Sequence, residues 1–451
     1  MNDQNRIVTA KATHYDESGR GVVKIGREEI GVFDLIPGET AQIKLIRRKD
    51  WVEAVVQKRF EESKMRTTPP CKAYYKCGSC NLQHMTYPEQ LRFKHEYARK
   101  CFSSYGMKIE PEVIIGMDQP YRYRNKNQFG VALDPKRSIL IGLYEESSHK
   151  IVPVVNCLIQ DELTNRLFQS IRSIMVSMRI PAFEEDARRG VVRFILIKRG
   201  FKTNQTLLTI VTAIESFPGK NEFFKRVRSE NPEINTLIHN VQSRKTSIVL
   251  GDKETVVLGK GSIDDDLLGL KFSISSKSFF QINPVQTEKL YQKVMEFLDL
   301  KGIERVVDAY SGIGTIGMVL ASKAKEVFAV EWNKESHQNA IHNAKTNNIR
   351  NIRFFNEDAG VFLRNMAKEG EKIDVVVLDP PRSGSTPEFL NAIKTLSPKK
   401  VLYVSCEPST QARDIVELLQ SGYEIKRSCL VDMFPQTAHV ETITLLSLKT
   451  A

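Results

Sequence analysis

From about residue 272 to residue 451, apolar segments of strand length alternate with longer segments of helical character. This order predicts a parallel or mixed sheet that is doubly wound, with helices on both faces. In open sheets of this kind, ligands bind beyond the carboxyl ends of the strands. The residues that follow the predicted strands are therefore the candidates for a functional site.

A glycine-rich turn follows the first of these strands, in the segment DAYSGIGTIG that begins at Asp308. Its G-x-G-x-x-G pattern, at residues 312–317, is the fingerprint of dinucleotide-binding enzymes, so an NAD-linked function has to be considered. Here, however, an acidic residue precedes the glycines. A carboxylate at that position would repel a pyrophosphate, whereas it suits a cationic sulfonium ligand such as S-adenosylmethionine.

Acidic residues also end the next three predicted strands. Glu331 follows the second strand, where it can accept hydrogen bonds from the two ribose hydroxyls that NAD and S-adenosylmethionine share. Residues 356–358, Asn-Glu-Asp, end the third strand within reach of an adenine amino group. Asp379 begins an Asp-Pro-Pro sequence after the fourth strand. This order of acids favours an S-adenosylmethionine-dependent methyltransferase over a dehydrogenase.

Cys406 ends the fifth predicted strand, which Pro408 prevents from continuing. A cysteine seen in isolation is more often a buried core residue than a nucleophile. Beside a methyl donor, however, a thiolate can add to carbon 6 of a pyrimidine and make carbon 5 nucleophilic. The adduct then needs a base for its carbon-5 proton, for which Glu441 and His439 are candidates. From the sequence alone, a surface position is the simpler interpretation of Glu441.

Three further cysteines lie together in the segment CKAYYKCGSC, at Cys71, Cys77 and Cys80, and Cys157 lies farther along the chain. Seven cysteines, an odd number at uneven spacing, indicate a metal site or catalysis rather than a set of disulfides. Four thiolates can bind a tetrahedral zinc ion or a 4Fe–4S cluster. The C-x5-C-x2-C spacing does not decide between these metals.

Residues 1–60 contain five short strand-like segments separated by turn residues, which predicts a small β-barrel of the oligonucleotide-binding type. A basic cluster with one aromatic suits phosphate binding and base stacking, or simply a solvated edge. It consists of Lys44, Arg47, Arg48, Lys49 and Trp51.

Residues 120–129, which include Arg124, alternate basic, amide and aromatic side chains, as in a single-stranded RNA contact or a solvated edge strand.

The overall charge is compatible with a nucleic-acid partner. The formal net charge is +12, which suits RNA or DNA, although a merely basic protein would share it. No apolar run is long enough to cross a bilayer, and the N-terminus lacks the apolar core of a signal peptide. We therefore expect a cytoplasmic protein with no membrane association and no obligate protein partner.

Together these motifs resemble those of the RNA uracil-5-methyltransferase family, and most closely its 23S ribosomal RNA branch, which carries an N-terminal TRAM domain. The motifs are C-x5-C-x2-C, FFQIN, DAYSGIGT, LDPPR, SCEPST and PQTAHVE. The resemblance implies an α/β fold with an OB-like TRAM barrel at residues 1–60 and a central α+β domain at residues 61–271. It also implies a Rossmann-like methyltransferase domain at residues 272–451.

The same resemblance implies roles for individual residues. Cys406 would be the nucleophile and Glu441 the base in methylation of carbon 5 of uridine, in a single-stranded or loop segment of 23S rRNA. Arg124 would contact the RNA. S-adenosylmethionine would be bound by Gln281, Tyr310, Glu331 and Asp379. A 4Fe–4S cluster would be bound by Cys71, Cys77, Cys80 and Cys157.

Three other functions fit parts of this pattern. A tRNA uracil-5-methyltransferase would use the same chemistry, and some enzymes of that kind also carry the N-terminal barrel. A DNA cytosine-5 methyltransferase presents its nucleophile after a proline, whereas Cys406 follows Ser405. A non-catalytic RNA-binding protein would keep its RNA affinity without an ordered pair of Cys406 and Glu441.

Overall fold

Four β-sheets organise the part of the chain that the computed structural model describes, residues 5–47 and 52–449. They follow the order of the chain: a five-stranded sheet, a seven-stranded sheet, a two-stranded hairpin and an eight-stranded sheet. Of the predicted basic cluster, Arg48, Lys49 and Trp51 lie outside the described residues.

The five strands predicted near the N-terminus are present and pair antiparallel in the order β3-β2-β1-β4-β5. They are β1 (Asn5–Tyr15), β2 (Gly21–Ile25), β3 (Glu28–Val32), β4 (Thr40–Arg47) and β5 (Val52–Glu61). Their small core includes Val23, Val32 and Ile43. The two outer strands, β3 and β5, also lie against each other, so the sheet curls until its edges meet.

Helix α1 (Tyr87–Ser103) and the short strand β6 (Ile114–Ile115) connect this sheet to the next one. The seven-stranded sheet has the order β13-β12-β11-β10-β7-β8-β9, and helices α2 and α3 pack on its core. Its elements are β7 (Lys126–Leu133), β8 (Ile139–Tyr144), β9 (Ile151–Pro153), α2 (Glu162–Ser177), β10 (Val192–Arg199), β11 (Thr206–Thr212), α3 (Lys220–Glu230), β12 (Thr236–Val241) and β13 (Lys253–Leu258).

The strand predicted for residues 120–129 begins only at Lys126. Residues 120–125 form a loop instead, since the Arg124 amide donates to the Ile159 carbonyl (2.9 Å) and the Asn125 amide to the Ile282 carbonyl (2.9 Å). Arg124 is half-buried, and its Nε donates to the Lys126 carbonyl at 3.0 Å. These tertiary hydrogen bonds, which the local pattern does not encode, override the alternation in the sequence.

The doubly wound sheet predicted from residue 272 onward is confirmed. The hairpin β14 (Ser262–Leu267) and β15 (Leu270–Ser275) precedes helix α4 (Pro284–Leu298). Then follow β16 (Arg305–Ala309), α5 (Thr315–Ala321), β17 (Glu326–Val330), α6 (Lys334–Thr346), β18 (Ile352–Phe355), α7 (Ala359–Lys368), β19 (Val375–Leu378), α8 (Pro387–Leu396), β20 (Lys400–Ser405), α9 (Pro408–Leu419), β21 (Tyr423–Val431) and β22 (Glu441–Leu448).

This sheet has the order β18-β17-β16-β19-β20-β22-β21-β6, with parallel pairing from β18 to β20 and antiparallel β22. Alternate residues of the parallel strands enter two cores, one against α4 and α5 and one against α7, α8 and α9. The strand order reverses between β16 and β19, which is where such sheets bind ligands.

Strand β6, from the region between the first two sheets, pairs with β21 and completes the eight-stranded sheet. The division at residues 60 and 271 stays a prediction, and this strand shows that the predicted central and C-terminal regions share one sheet.

Among the helices of the described residues, none is both long and apolar enough to cross a membrane.

Candidate active site

Cys406 and Glu441 are brought together by the pairing of β20 with β22. The two strands are antiparallel, with Ser405 opposite Thr442. One residue beyond that pair, Cys406 follows the end of β20 and Glu441 begins β22. The antiparallel register therefore makes a thiol and a carboxylate cross-strand neighbours, although 34 positions separate them (441 − 406 − 1).

Glu441 is buried rather than on the surface, with 4% of its area exposed. Within the described part of the chain, its Oε2 is buried and has no hydrogen-bond partner. Burial, and then the neighbouring Asp379 carboxyl, raises the pKa of Glu441 well above its ordinary value, while Arg382 opposes the shift. A buried carboxyl oxygen without a partner in a crevice is a candidate for contact with a substrate or a proton.

Cys406 is half-buried and surrounded by charged groups. Burial raises the pKa of the Cys406 thiol to about 12, and the Glu441 and Asp379 carboxyls add to this shift. The positive charge of Arg382 opposes it, as does a hydrogen bond from the guanidinium to the thiol. In the absence of ligands the group is therefore a thiol at neutral pH, and Arg382 is the cation that favours its thiolate.

Arg382 is a functional candidate that sequence reasoning missed. It follows Asp379-Pro380-Pro381, and the chain turns there so that the Arg382 carbonyl accepts a hydrogen bond from Thr410 Oγ1 of α9 at 3.1 Å. The LDPPR motif ends in this arginine and could have indicated it as a site residue. Its pairing with Cys406, however, depends on the adjacency of β19 and β20.

Asp379 lines the crevice at the carboxyl end of β19. Its side chain is partly accessible from the crevice. Loss of hydration among the surrounding protein groups nevertheless raises the pKa of Asp379 to about 7. Gln281 Nε2 donates to Asp379 Oδ2 at 3.4 Å, and the Gln281 carbonyl in turn accepts from Asn125 Nδ2 at 2.9 Å. Two of the four predicted S-adenosylmethionine residues are thus in contact.

The other two lie beside the glycine turn. Glu331 follows β17 and accepts hydrogen bonds from the amides of Gly312 (2.9 Å) and Asn333 (2.6 Å). Tyr310 has a φ of +65°, and its ring lies 5.2 Å from that of Phe389. Each Glu331 oxygen keeps a lone pair for a further donor such as a ribose hydroxyl.

Asp308, the acid that precedes the glycines, lies beneath this turn. It is buried, and its Oδ2 accepts the amide of Gly317 at 2.7 Å. A Cβ at residue 317 would lie 2.8 Å from that oxygen, so any other residue there would displace the Asp308 carboxyl. Burial raises the pKa of Asp308 to about 7, and the Asp379 and Glu331 carboxyls add to the shift. These neighbouring acids favour a cation in the crevice.

His439 is a weaker candidate for the base. Burial, together with the Arg382 and Lys94 cations, lowers the pKa of His439 to about 4. Its ring packs edge-on against Phe434, with centroids 6.1 Å apart. A pKa this low makes the imidazole a weak base. Glu441, by contrast, is the residue next to Cys406 across the strand pair.

The four cysteines predicted to bind a metal line one cavity, together with apolar side chains. They are Cys71, Cys77, Cys80 and Cys157. Burial raises the pKa of Cys80 well above its ordinary value, and the Cys157, Cys77 and Cys71 thiolates contribute. In the described residues, however, no group of three or more His, Cys, Asp or Glu side chains has the arrangement needed to bind one metal ion.

The two metal groups place their four thiolates at different spacings. Four sulfur ligands of one zinc ion lie within about 4 Å of one another, because each Zn–S bond is about 2.3 Å. In a 4Fe–4S cluster each thiolate binds a different iron, so the ligands are spread around a larger body. Four thiols around one apolar cavity supply the ligands of either group in kind and number.

Among known proteins, a family model matches the C-terminal half of this chain. The model of the tRNA (uracil-5-)-methyltransferase family matches residues 223–449. A Clostridium tetani protein named an uncharacterized RNA methyltransferase is 38% identical over 445 residues, covering 98% of this chain and 96% of that protein. A Clostridium acetobutylicum protein of the same description is 39% identical over 437 residues, covering 96% and 95%.

A solved structure shares the fold over nearly the whole chain. It is that of Pyrococcus abyssi tRNA (uracil-54, C5)-methyltransferase in complex with S-adenosyl-L-homocysteine. The TM-score is 0.78 at 25% sequence identity, and the match covers 97% of this chain and 100% of that one. The likeness thus extends beyond the eight-stranded sheet to the regions that precede it.

Proposed function

Because this chain belongs to the RNA uracil-5-methyltransferase family, we propose that Cys406 and Glu441 carry out methyl transfer to carbon 5 of a uridine. The observation that carries this proposal is the register of β20 and β22, in which the two residues are cross-strand neighbours. One supplies a nucleophile and the other a buried carboxylate without a partner among the described residues.

The proposed reaction has three steps. Cys406 Sγ adds to carbon 6, and the electrons of the carbon 5–carbon 6 double bond move to the oxygen on carbon 4 as an enolate. When bound, S-adenosylmethionine supplies an electrophilic methyl group, which carbon 5 takes up as the methyl–sulfonium bond breaks and S-adenosylhomocysteine is left. Glu441 then removes the carbon-5 proton, the double bond forms again, and Cys406 leaves as a thiolate.

The charges of the crevice support this sequence of steps. Asp379 and Glu441 are held partly or wholly protonated by burial, so a bound cation favours their ionised forms. The same cation, with Arg382, favours the thiolate of Cys406. We propose that Gln281, Tyr310, Glu331 and Asp379 bind S-adenosylmethionine, since they surround the carboxyl ends of β16, β17 and β19.

We further propose 23S rRNA as the substrate, in a single-stranded or loop segment from which a uridine can leave its stack. The five-stranded sheet, whose edges meet, suits the predicted TRAM domain. Arg124 directly precedes Asn125, whose Nδ2 donates to the carbonyl of the crevice residue Gln281. A tRNA substrate is the second candidate. It is favoured by the Pyrococcus abyssi enzyme, a tRNA methyltransferase that this chain matches over its full length.

For the cysteine cavity we propose a 4Fe–4S cluster bound by Cys71, Cys77, Cys80 and Cys157. The transfer of a methyl group from sulfonium to carbon moves no net electron to or from the protein. The proposed role is therefore to organise the loop that contains Cys71, Cys77 and Cys80, which contacts both the five-stranded sheet and the segment before Glu441.

The test is to map 5-methyluridine in ribosomal and transfer RNA from cells that lack this protein. We expect loss of at least one position in 23S rRNA, restored by the wild-type gene and not by Cys406→Ala. Loss at a tRNA position instead would establish the second candidate. An unchanged set of 5-methyluridines in both RNAs would contradict the proposed function.

A further inference from the structure

The segment between β21 and β22, residues 432–440, leads directly into Glu441. It contains neither helix nor strand, yet most of its residues are buried. Gln436 within it has a φ of +73°, in the left-handed region that favours glycine. A buried irregular segment must find its backbone hydrogen bonds elsewhere in the molecule. The position of Glu441 therefore depends on groups outside this segment.

Those groups come largely from residues 81–90, which follow the cysteine loop and include the first turn of α1. The amides of Asn81 and Leu82 both donate to the Gln436 carbonyl, each at 3.1 Å. The Gln90 side chain pairs with Gln436 twice. Its Nε2 donates to Gln436 Oε1 at 3.0 Å, and its Oε1 accepts the Gln436 amide at 3.0 Å.

Asn81 makes the farthest-reaching of these contacts. Its Oδ1 accepts the amide of Ala438 at 2.9 Å, three residues before Glu441. Its Nδ2 donates to the carbonyl of Ser18 at 2.9 Å, in the turn between β1 and β2. One half-buried amide thus joins the five-stranded sheet to the segment that ends at Glu441.

We propose that Asn81 is a positioning residue for proton removal by Glu441. This inference rests on the proposed function. A base has to come within about 3 Å of the proton that it takes, and a displacement of about 1 Å can cost roughly 100-fold in rate. The hydrogen bond to Ala438 restrains the chain just before Glu441.

The same contact has no counterpart at the nucleophile. Cys406 continues β20, a central strand that is paired on both sides with β19 and β22. Loss of the Asn81 side chain therefore slows release of the methylated adduct while addition of Cys406 to carbon 6 continues. This separation of steps is what distinguishes a positioning role from a general loss of structure.

The experiment compares two RNA probes with Asn81→Ala. The first is total RNA from cells lacking the protein; the second is the same RNA from cells grown with 5-fluorouracil. Fluorine on carbon 5 cannot be removed by a base, so the covalent adduct on the second probe reports addition and methyl transfer alone. We expect adduct formation on the fluorinated RNA within about twofold of wild type, and release from ordinary RNA slowed at least about tenfold.

Two matched variants sharpen the comparison. Asn81→Asp keeps an oxygen for the Ala438 amide but sets a carboxylate oxygen against the Ser18 carbonyl, so its release should be slowed clearly less than that of Asn81→Ala. Arg20→Ala removes the ion pair of Arg20 with Glu146 (2.9 Å), another link from the five-stranded sheet, and should leave release unchanged. Should Asn81→Ala fail to fold, Asn81→Ser, whose hydroxyl is too short for both contacts, takes its place.

Three results would overturn the inference: wild-type release by Asn81→Ala, equal slowing of both probes, or equal impairment of Asn81→Asp and Asn81→Ala. Failure of the proposed function looks different, because the wild-type protein itself would then form no adduct with the fluorinated RNA.

Discussion

At the scale of single residues, the crevice brings three acids together, and the Arg382 cation only partly offsets their effect on Glu441. Burial raises the pKa of Asp308 and Asp379 to about 7, and the pKa of Glu441 lies well above its ordinary value. Such an arrangement disfavours the folded state and persists at functional sites, where a ligand compensates for it. A sulfonium ligand with an amino group would supply further positive charge.

Asp379→Asn should therefore weaken binding of S-adenosylmethionine and stabilise the ligand-free protein. With a pKa of about 7, against 3.8 ordinarily, Asp379 keeps a proton in the folded state that the unfolded chain has lost. Its contribution to stability accordingly falls as pH rises from about 4 to about 7. Above pH 7 the variant should be more stable than wild type by about 1–2 kcal/mol, and below pH 4 the difference should vanish.

Urea unfolding at several pH values, with calorimetric titration of S-adenosylmethionine, measures both effects. Asp374→Asn is the matched control at the opposite end of β19. Partial burial raises the pKa of Asp374, but hydrogen bonds from Lys399 and from the Arg305 amide, with the charges of both residues, together leave it below its ordinary value. That variant should lose stability at pH 7 and keep ligand affinity. A less stable Asp379→Asn protein at pH 8 would contradict the prediction.

At the scale of elements, a buried ion pair joins α1 to the segment before Glu441. Lys94 Nζ donates to Asp432 Oδ1 at 2.5 Å and to the Phe434 carbonyl at 3.0 Å, and Tyr87 donates to Asp432 Oδ2 at 2.8 Å. Both Lys94 and Asp432 are fully buried. Removal of one charge leaves the other without compensation.

We expect Lys94→Met to lower the free energy of unfolding by about 3–5 kcal/mol, because Asp432 would remain buried and unpaired. Adding Asp432→Asn to that variant should recover a large part of the loss, since the uncompensated charge is then gone. Urea unfolding of the two single variants and the double variant measures the coupling. Additive effects of the two substitutions would argue against a direct pair.

Some elements could be predicted from local sequence and others could not. The ends of β19 and β20 follow from Asp-Pro-Pro and from Pro408, because proline cannot continue a strand ladder. The burial of Glu441 could not be foreseen, since it depends on which strand β22 joins and in which register. Residues 120–125 were wrongly assigned to a strand for the same reason, as their partners lie far along the chain.

At the scale of the whole molecule, the cysteine loop lies where the other regions meet. Phe33, in the turn that follows β3 of the five-stranded sheet, packs on Tyr74, with ring centroids 5.4 Å apart. The Gly78 amide donates to the Tyr144 carbonyl at the end of β8 (2.9 Å), and Asn81 contacts the segment before Glu441. Sequence spacing predicted the four cysteines but not this central location, which depends on long-range contacts.

Cys77→Ala should remove the colour that a 4Fe–4S cluster gives the protein, and most of its bound iron, by deleting one of four ligands. Cys101→Ala is the matched control, because Cys101 is a buried cysteine of α1 outside the cavity. Visible absorbance and iron content of the purified proteins measure the outcome. A colourless wild-type protein that contains zinc would refute the cluster.

The central claim is that Cys406 and Glu441 act in succession on one uridine. The most direct measurement is mass spectrometry of Glu441→Gln after incubation with S-adenosylmethionine and RNA from cells lacking the protein. We predict a methylated uridine covalently attached to the peptide that contains Cys406, because addition and methyl transfer proceed while proton removal does not. Wild-type turnover by Glu441→Gln, or an adduct on a peptide without Cys406, would contradict the account.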